Sequence, residues 1–319
     1  MSAAYKLRFS IGSRTLLAPT LNLVHINALG RASTDSFHEQ VPSLWSQDVD
    51  GYLLHSVSIA GKLPDIAFPN GRIEYLLQRY FHYRADMTTG FEDFLQKKSS
   101  KTRSTLKRKV KKFTSANKAK TLEWGEYRTP PEIDEFFTLA LPLAQATYQA
   151  KRFQGALPDS EAFKEHAADL AAAGQLRAYL LFLDQRPVAY LYSPLECRTA
   201  VYAYLGYDAE IAGLSPGTVL QYLVHERLFS DPDVDWFDFT EGDGAHKALF
   251  ATEKHSCINV LCVSDTWRNR ILIRCHYCWN RAIETGKRLL ERQTVARAGT
   301  MSSTSSGKTK CSSKDLARN

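Results

Sequence analysis

Ten consecutive residues carry more titratable side chains than a turn needs. From Asp238 to Lys247 the sequence reads DFTEGDGAHK, with three carboxylates, one histidine and one lysine. Carboxylates and imidazole can accept a proton from an attacking group, and an ammonium group can stabilise a developing negative charge. Gly242 and Gly244 permit a tight loop that would bring these groups together. The residues alone leave open the alternative of an Asp/Gly-rich turn with a surface ion pair.

A second candidate site is the start of a predicted helix. Ser215 is placed to cap this helix and Pro216 suits its first position. Amide groups in a first helical turn lack intrahelical partners, and the helix dipole adds positive potential there. Gly217, Thr218 and Val219 could therefore bind an anion such as a phosphate. The alternative is a well-capped helix that binds nothing.

Both candidates follow a run of predicted strands. The strands are Leu176–Leu183, Val188–Leu195 and Thr199–Tyr207. Their turns are short enough to force antiparallel neighbours. The helix from Ser215 then leads to a fourth strand, Val234–Thr240, and such a crossover makes the third and fourth strands parallel. The polar stretch thus lies at the C-terminal end of a parallel strand, where open sheets place ligands.

Apolar spacing predicts several further elements. Tyr52–Ile59 and Ser256–Val263 read as strands, whereas Ile73–Tyr83 has apolar residues at helical intervals. A last helix is expected after Ser264, with a single apolar stripe. The members of this stripe are Trp267, Ile271, Cys275, Cys278 and Trp279.

The positive charge of the chain is concentrated in one segment. The formal net charge is +7, and Lys97–Lys120 contains eleven Lys or Arg residues and no acid. Subtracting these eleven from +7 leaves −4 for the rest of the chain. Leu106, Val110 and Phe113 recur at helical spacing, which predicts an amphipathic basic helix. Such a helix could clamp an anionic ligand, contact nucleic acid, or simply be solvated.

Length and composition exclude several classes of protein. A chain of 319 residues with 44% apolar and 24% charged residues is not collagen-like, fully disordered or an integral membrane protein. We find neither the roughly 20 apolar residues of a membrane span nor an export signal, and expect a cytoplasmic protein. Six scattered cysteines favour a reducing compartment. Cys275 and Cys278 form a CxxC that we interpret as buried small residues, with no metal site.

Four segments together resemble a known family. They are 91–113 (FEDFLQKKSSKTRSTLKRKVKKF), 174–193 (GQLRAYLLFLDQRPVAYLYS), 204–226 (YLGYDAEIAGLSPGTVLQYLVHE) and 238–251 (DFTEGDGAHKALFA). In order and spacing they are similar to the GNAT-like acetyltransferases, in the branch related to the FemAB peptidyltransferases and associated with cellulose or exopolysaccharide biosynthesis. The resemblance implies an α/β protein with a tandem GNAT-like (acyl-CoA N-acyltransferase) fold, in which helices flank mixed central sheets.

The same resemblance implies a domain organisation. Residues 1–120 would be a degenerate N-terminal GNAT-like half that ends in the basic helix. Residues 121–292 would be the C-terminal GNAT acyltransferase domain. Residues 293–319, rich in Ser and Thr and poor in apolar side chains, are predicted to be a disordered tail.

The function implied is transfer of an acetyl or other acyl group from acyl-CoA to an amine or hydroxyl of a small or saccharide-linked acceptor. The anchor for the donor's pyrophosphate would be Ser215, Gly217, Thr218 and Val219. Arg103, in the matching part of the basic segment, could reach a phosphate. The slot for pantetheine would lie between the splayed ends of the two parallel strands. Acetyl-CoA is thus the implied donor, with no metal.

The catalytic roles fall on the polar stretch and one strand. Glu241 or His246 is the candidate general base, and Lys247 the cation near a phosphate or oxyanion. Asp238 would orient Lys247 or hold the loop, and Tyr207 would protonate the departing thiolate. Relatives in this family commonly carry Tyr at the position of His246.

Two other functions stay open from the sequence. One is a Fem-type peptidyltransferase that takes an amino acid from charged tRNA, because the basic helix would suit tRNA phosphates. The other is a non-catalytic nucleic-acid-binding protein built on the basic helix 97–120. We do not expect nucleic acid as a partner, because Phe113 is the one aromatic residue among the charges.

Overall fold

The computed structural model describes residues 2–12, 14–27, 49–59, 61–151 and 156–304. The strands are β1 (Ser2–Lys6), β2 (Phe9–Ile11), β3 (Arg14–Leu17), β4 (Thr20–Asn27), β5 (Gly51–Ser58), β6 (Ile66–Ala67), β7 (Arg72–Asp86), β8 (Glu123–Tyr127), β9 (Leu176–Leu183), β10 (Arg186–Glu196), β11 (Thr199–Val201), β12 (Tyr204–Tyr207), β13 (Trp236–Glu241) and β14 (Glu253–Ser264). The helices are α1 (Phe91–Gln96), α2 (Ser100–Ala116), α3 (Pro130–Lys151), α4 (Glu161–Ala172), α5 (Pro216–Leu228), α6 (Ala245–Phe250) and α7 (Trp267–Thr304), with a 3₁₀ helix at Ala209–Leu214.

Backbone contacts divide the chain into two units, Met1–Gln78 with Ile258–Asn319, and Arg79–Cys257. The unit boundaries fall inside β7 and β14, and the division into domains at residues 120 and 292 stays a prediction. Helix α7 continues to Thr304, past the predicted start of the tail, and residues 305–319 lie outside the described part of the chain. The degenerate GNAT-like character of the N-terminal half stays a prediction.

The first unit is a mixed sheet covered by α7. Its strand order is β1-β4-β5-β14-β7, with β4 parallel to β5 and antiparallel to β1. Side chains of β5 alternate between the two faces of the sheet, so that Leu53 joins one core while Tyr52 and Leu54 join the other. Ile273 of α7 packs into the core of Leu53. Strands β2 and β3 form a separate antiparallel hairpin.

The second unit is also a mixed sheet between helices. Its strand order is β7-β13-β11-β10-β9-β8, and β12 pairs with β10. The predicted meander of β9, β10 and the following strand is confirmed, and β11 runs parallel to β13 as the crossover requires. On β9, Tyr179 and Leu181 face one core, while Ala178 and Leu180 face the other. The mixed α/β class is therefore confirmed.

The helix predicted for residues 73–83 is wrong, because these residues belong to β7. An Asn70-Gly71 turn with positive φ at both residues joins β6 to β7 as a hairpin. Aromatic residues such as Tyr75 and Tyr83 favour strands and are buried here. The apparent helical spacing arises because both faces of this long strand contain apolar residues.

The apolar stripe predicted on the last helix is largely exposed. Trp267 and Ile271 are 69% and 56% exposed, and Cys275 and Cys278 are exposed as well. The buried face of α7 carries Ile273 and the neighbouring His276 instead. The expectation of buried cysteines at 275 and 278 is therefore wrong. Helix α7 has apolar residues on two faces, and the sheet covers the face that the sequence pattern did not select.

The basic amphipathic helix is confirmed as α2. Ser99 caps it by accepting a hydrogen bond from the amide of Thr102. Leu106 and Phe113 are buried, whereas most of the cations are exposed. Helix α2 is thus folded against the second unit by its apolar side.

Candidate active site

In the second unit, strands β12 and β13 diverge from each other. The parallel pairing of β11 with β13 ends at Val201 and Asp238, and the amide of Tyr202 donates to the Asp238 carbonyl over 2.8 Å. Strand β12 continues beside β10, with Tyr190 opposite Gly206. In the described part of the chain it makes no ladder with β13. The predicted splay between these strands is present, and it opens a gap at the carboxyl end of β13.

Helix α5 begins at the wall of this gap. Ser215 stands at the N-cap position with φ +56°, and its side chain makes no capping bond. Its carbonyl already accepts the amides of Thr218 and Val219. Of the three amides predicted to bind an anion, those of Thr218 and Val219 are thus already used, and that of Gly217 is the first-turn donor that remains. Val219 is fully buried in the core of the unit.

Two lysines of α2 lie beside the start of α5. The ammonium of Lys109 donates to the hydroxyl of Thr218 over 3.2 Å. The ammonium of Lys112 donates to the carbonyl of Gly213, just before α5, over 2.9 Å. The basic segment therefore adds positive charge where the helix dipole is also positive.

Arg103 lies at the junction of α1 and α2. Its guanidinium donates to the backbone carbonyls of Gln96 and Lys98. It thereby connects α1 to the start of α2, and its contact with a phosphate stays a prediction. The cation at the start of α5 is Lys109.

A cavity of about 390 Å³ occupies the gap. Its lining residues are Tyr202, Leu205, Tyr207, Ala212, Ser215, Pro216, Gly217, Thr218, Gln221, His246 and Phe250. Five of the predicted site residues line it, namely Tyr207, Ser215, Gly217, Thr218 and His246. Its volume is within the range of pockets that hold small ligands. One wall is therefore the start of α5, and another is the beginning of α6.

His246 lies at the exposed edge of this cavity in the first turn of α6. Its ring is 5.9 Å from the ring of Tyr202. Partial burial lowers its pKa, and the ammonium of Lys247 lowers it further. The imidazole is thus held neutral and able to accept a proton. A Cβ at Gly244 would lie 2.9 Å from Cε1 of His246, so glycine leaves room for the ring.

Lys247 on α6 and Glu241 at the end of β13 flank the loop and do not line the cavity. The ammonium of Lys247 donates to the backbone carbonyl of Glu241 over 2.6 Å. Lys247 is buried, and burial lowers its pKa against the opposing effect of Asp238, first among the nearby carboxylates. The role of Lys247 beside a phosphate or an oxyanion stays a prediction. Glu241 is exposed and does not line the cavity, so His246 is the one of the two predicted bases that does.

Asp238 holds the backbone of the same loop. Its Oδ1 accepts the amide of Thr240 over 2.7 Å and also accepts Nε2 of His82. Thr240 has φ +60°, which is rare for a β-branched residue and marks local strain. Of the two predicted roles for Asp238, the geometry is that of holding the loop.

Sequence analysis missed His82, Tyr83 and Lys109. The hydroxyl of Tyr83 donates to Asp243 over 2.6 Å, so adjacent residues of β7 contact both ends of the loop. Their role was hidden because β7 was interpreted as a helix. Lys109 could not be chosen from eleven similar cations by spacing alone.

Within the described ranges, no three His, Cys, Asp or Glu side chains converge as a metal site would require. In the same ranges, no helix has both the length and the apolar character to cross a bilayer.

Residues 100–248 match the family described as Acetyltransferase (GNAT) domain. The match includes α2, the meander, α5, β13 and the start of α6. The match covers most of the four sequence segments and confirms their resemblance to the GNAT-like acetyltransferases. No curated protein matches the chain.

Two solved structures are similar to this chain at low sequence identity. The crystal structure of FemX is 12% identical, with 85% of this chain and 90% of that chain covered and a TM-score of 0.51. The structure of L-PGS from Bacillus licheniformis is 11% identical, with 80% and 84% covered and a TM-score of 0.48. The FemX likeness shows a common fold, so the FemAB-like GNAT fold expected from the sequence is confirmed.

Proposed function

We propose that this protein transfers an acetyl or other acyl group from acyl-CoA to an amine or hydroxyl of a small or saccharide-linked acceptor. The observation that carries the proposal is the cavity of about 390 Å³ between the diverging strands. A helix start with an adjacent lysine forms one part of its wall, and a neutral histidine forms another. Acyl transfer from a thioester needs both an anion anchor and a base.

The donor's phosphates would bind at the start of α5. The amide of Gly217 and the ammonium of Lys109 supply hydrogen bonds and positive charge there. Gly217 suits this role, because a Cβ would lie 3.2 Å from the ring of Tyr207. The pantetheine amides would lie along β12, as an added strand does at a sheet edge. Bound acyl-CoA would supply the activated thioester.

His246 would act as the general base. It takes the proton from the acceptor's amine or hydroxyl as the new C–N or C–O bond forms, while the C–S bond breaks. Tyr207, which also lines the cavity, would give its proton to the departing thiolate. Asp238 and Lys247 would keep the loop before His246 in place through their backbone contacts.

Calorimetric titration with acetyl-CoA and with CoA tests the donor. We expect binding of both to the full chain, with loss of binding in Gly217→Trp, which fills the anchor. Lys109→Ala should weaken binding by about tenfold, as loss of one charged hydrogen bond predicts. Lys107→Ala, an exposed cation on the same helix, is the matched control and should bind as the original protein does. Absence of binding at millimolar ligand would refute acyl-CoA as donor.

An aminoacyl-tRNA donor is the second candidate, and the exposed cations of α2 favour it. Lys107, Arg108 and Lys111 all face solvent and extend the positive charge beyond Lys109. Binding of tRNA should fall steeply with salt and drop further when these three residues are neutralised together. If acyl-CoA is the donor, the same triple variant should keep its affinity for CoA. Comparing both ligands in one variant therefore separates the two donors.

A further inference from the structure

Helix α7 has an apolar stripe that faces solvent. Trp267 and Ile271 are 69% and 56% exposed, and Leu289 is 54% exposed. Leu289 follows Trp267 by about six helical turns, so these residues share one side of the helix. Cys275 and Cys278 lie between them and are exposed too. A stripe of this length on a folded unit is more than the scattered apolar residues of an ordinary surface.

The opposite face of α7 already makes the contacts that fold it onto its unit. Nδ1 of His276 lies 2.9 Å from the hydroxyl of Tyr75. The indole of Trp279 donates to the carbonyl of Ser10, and Ile273 is buried in the core of the first unit. The solvent-facing stripe is therefore not needed to hold the helix in place.

Cations lie along the edge of the stripe. Arg274 and Arg281 follow Trp267 at intervals of seven residues, which places them on the same side of the helix. Both are exposed, as is Arg268. Between residues 267 and 289, Glu284 is the single acid against six Lys or Arg residues. An apolar stripe beside arginines is the pattern of a helix that lies in a membrane interface.

The hairpin of β2 and β3 adds a second exposed apolar group to the same unit. Ile11, Leu16 and Leu17 are 51%, 62% and 58% exposed. Its contact with α7 is on the buried face, where the ring of Phe9 packs on His276 at 5.0 Å between ring centroids, so the hairpin is a separate patch from the stripe.

We propose that the outer face of α7 binds the surface of an anionic phospholipid bilayer. Trp267 and Ile271 enter the boundary between headgroups and acyl chains. The arginines at the edge of the stripe pair with lipid phosphates, and a guanidinium group matches phosphate geometry well. A second copy of this chain is the less suitable occupant, because two such faces would bring their arginines together. The helix lies on the bilayer and does not cross it.

Vesicle sedimentation with the full chain tests this proposal. The probes are vesicles of phosphatidylglycerol and phosphatidylcholine in equal parts, and vesicles of phosphatidylcholine alone. We expect binding to the anionic vesicles that is at least about tenfold stronger than to the neutral ones, and that weakens with salt. No acyl donor or acceptor is present, so the result is independent of the proposed enzymatic function.

Two variants assign the binding to α7. Trp267→Ser combined with Ile271→Ser should reduce binding to anionic vesicles at least about tenfold, and Arg274→Gln with Arg281→Gln should do the same. Phe81→Ser, which changes an exposed aromatic residue outside this surface, is the matched control and should bind fully. Circular dichroism melts verify that each variant is folded.

Three outcomes would overturn the proposal. The first is equal binding to neutral and anionic vesicles, or no binding to either. The second is unchanged binding by the folded Trp267→Ser/Ile271→Ser variant. The third is a dimer in size-exclusion chromatography with light scattering that this variant converts to a monomer, which would make a second copy of the chain the occupant.

Discussion

His82 on β7 donates from Nε2 to Oδ1 of Asp238 on β13, over 2.5 Å. The same oxygen accepts the amide of Thr240, whose backbone is in the left-handed region. His82 is buried, so this bond is shielded from water and worth more than an exposed one. These two residues, distant in sequence, fix the strained backbone from which the loop runs to His246.

Removing the His82 bond should impair turnover more than donor binding. In His82→Phe the carboxylate of Asp238 loses its partner, and the loop that carries His246 shifts. We expect kcat to fall by about 10-fold to 100-fold with the KM for acyl donor nearly unchanged, because a misplaced base slows the reaction without filling the anchor. His82→Gln, which keeps an N–H donor, should recover part of the rate. Equal loss in both variants would argue against positioning through Asp238.

Tyr83 should act on the other end of the same loop. Tyr83→Phe removes the 2.6 Å bond to Asp243 and should lower kcat. Tyr179→Phe is the matched control, because its hydroxyl donates to Glu126 over 3.1 Å in the same unit but away from the cavity. Both changes should cost about 1 to 2 kcal/mol in urea unfolding. A reduced kcat confined to Tyr83→Phe supports loop positioning, whereas equal activity in both variants contradicts it.

The pH profile of kcat/KM should report the pKa of His246. Burial and Lys247 lower this pKa, so the neutral base persists to lower pH than an ordinary histidine would allow. Activity should therefore persist to lower pH than an ordinary histidine base allows, and fall at more acidic pH as the imidazole gains a proton. His246→Ala should lose activity and retain donor binding in calorimetry. An acid limb that survives in this variant would assign the base to another group.

His225 should make the folded state sensitive to acid. It is fully buried, and burial lowers its pKa from 6.5 to about 3, with a smaller contribution from Lys98. Its Nδ1 lies 2.9 Å from the carbonyl of Gln221, and Nε2 has no partner among the described residues. Below pH 6.5 the imidazole of His225 therefore binds a proton in the unfolded state, whereas in the folded state it stays neutral down to about pH 3. Stability from this group is complete above pH 6.5 and declines by roughly 1.4 kcal/mol per pH unit below it.

The His225→Leu variant isolates this contribution. Urea unfolding at pH 7 and pH 5 should show a loss of stability in the original protein that exceeds the loss in the variant by about 2 kcal/mol. The difference between the two proteins removes the titration of carboxylates that both share. Parallel losses in the two proteins would show that folding does not lower the pKa of His225.

Local patterns were enough for the elements around the cavity. The three-strand meander and the crossover through α5 follow from strand-length apolar runs and short turns, and both are confirmed. The basic helix followed from three apolar residues at helical spacing, of which Leu106 and Phe113 are buried. These features depend on neighbours in sequence, so periodicity could predict them.

Tertiary contacts decided which side chains of the site meet. Lys109 rather than Arg103 lies at Thr218 because the packing of α2 on its apolar side turns that lysine toward α5. His82 reaches Asp238 because β7 pairs with β13, 156 residues away in sequence. Local residue spacing cannot predict a contact between residues so far apart in sequence.

The sequence by itself determined the segments, their periodicities and the concentration of charge. It did not determine which face of an element is buried, because burial depends on the partner that packs against it. Residues 73–83 form part of a strand, because apolar side chains on both faces of this strand are buried by neighbouring parts of the fold. Helix α7 placed Ile273 inside and Trp267 outside, although both lie on apolar stripes. Local sequence pattern therefore predicted the meander, the crossover and the basic helix. The loop geometry and the exposed stripe depended on tertiary packing.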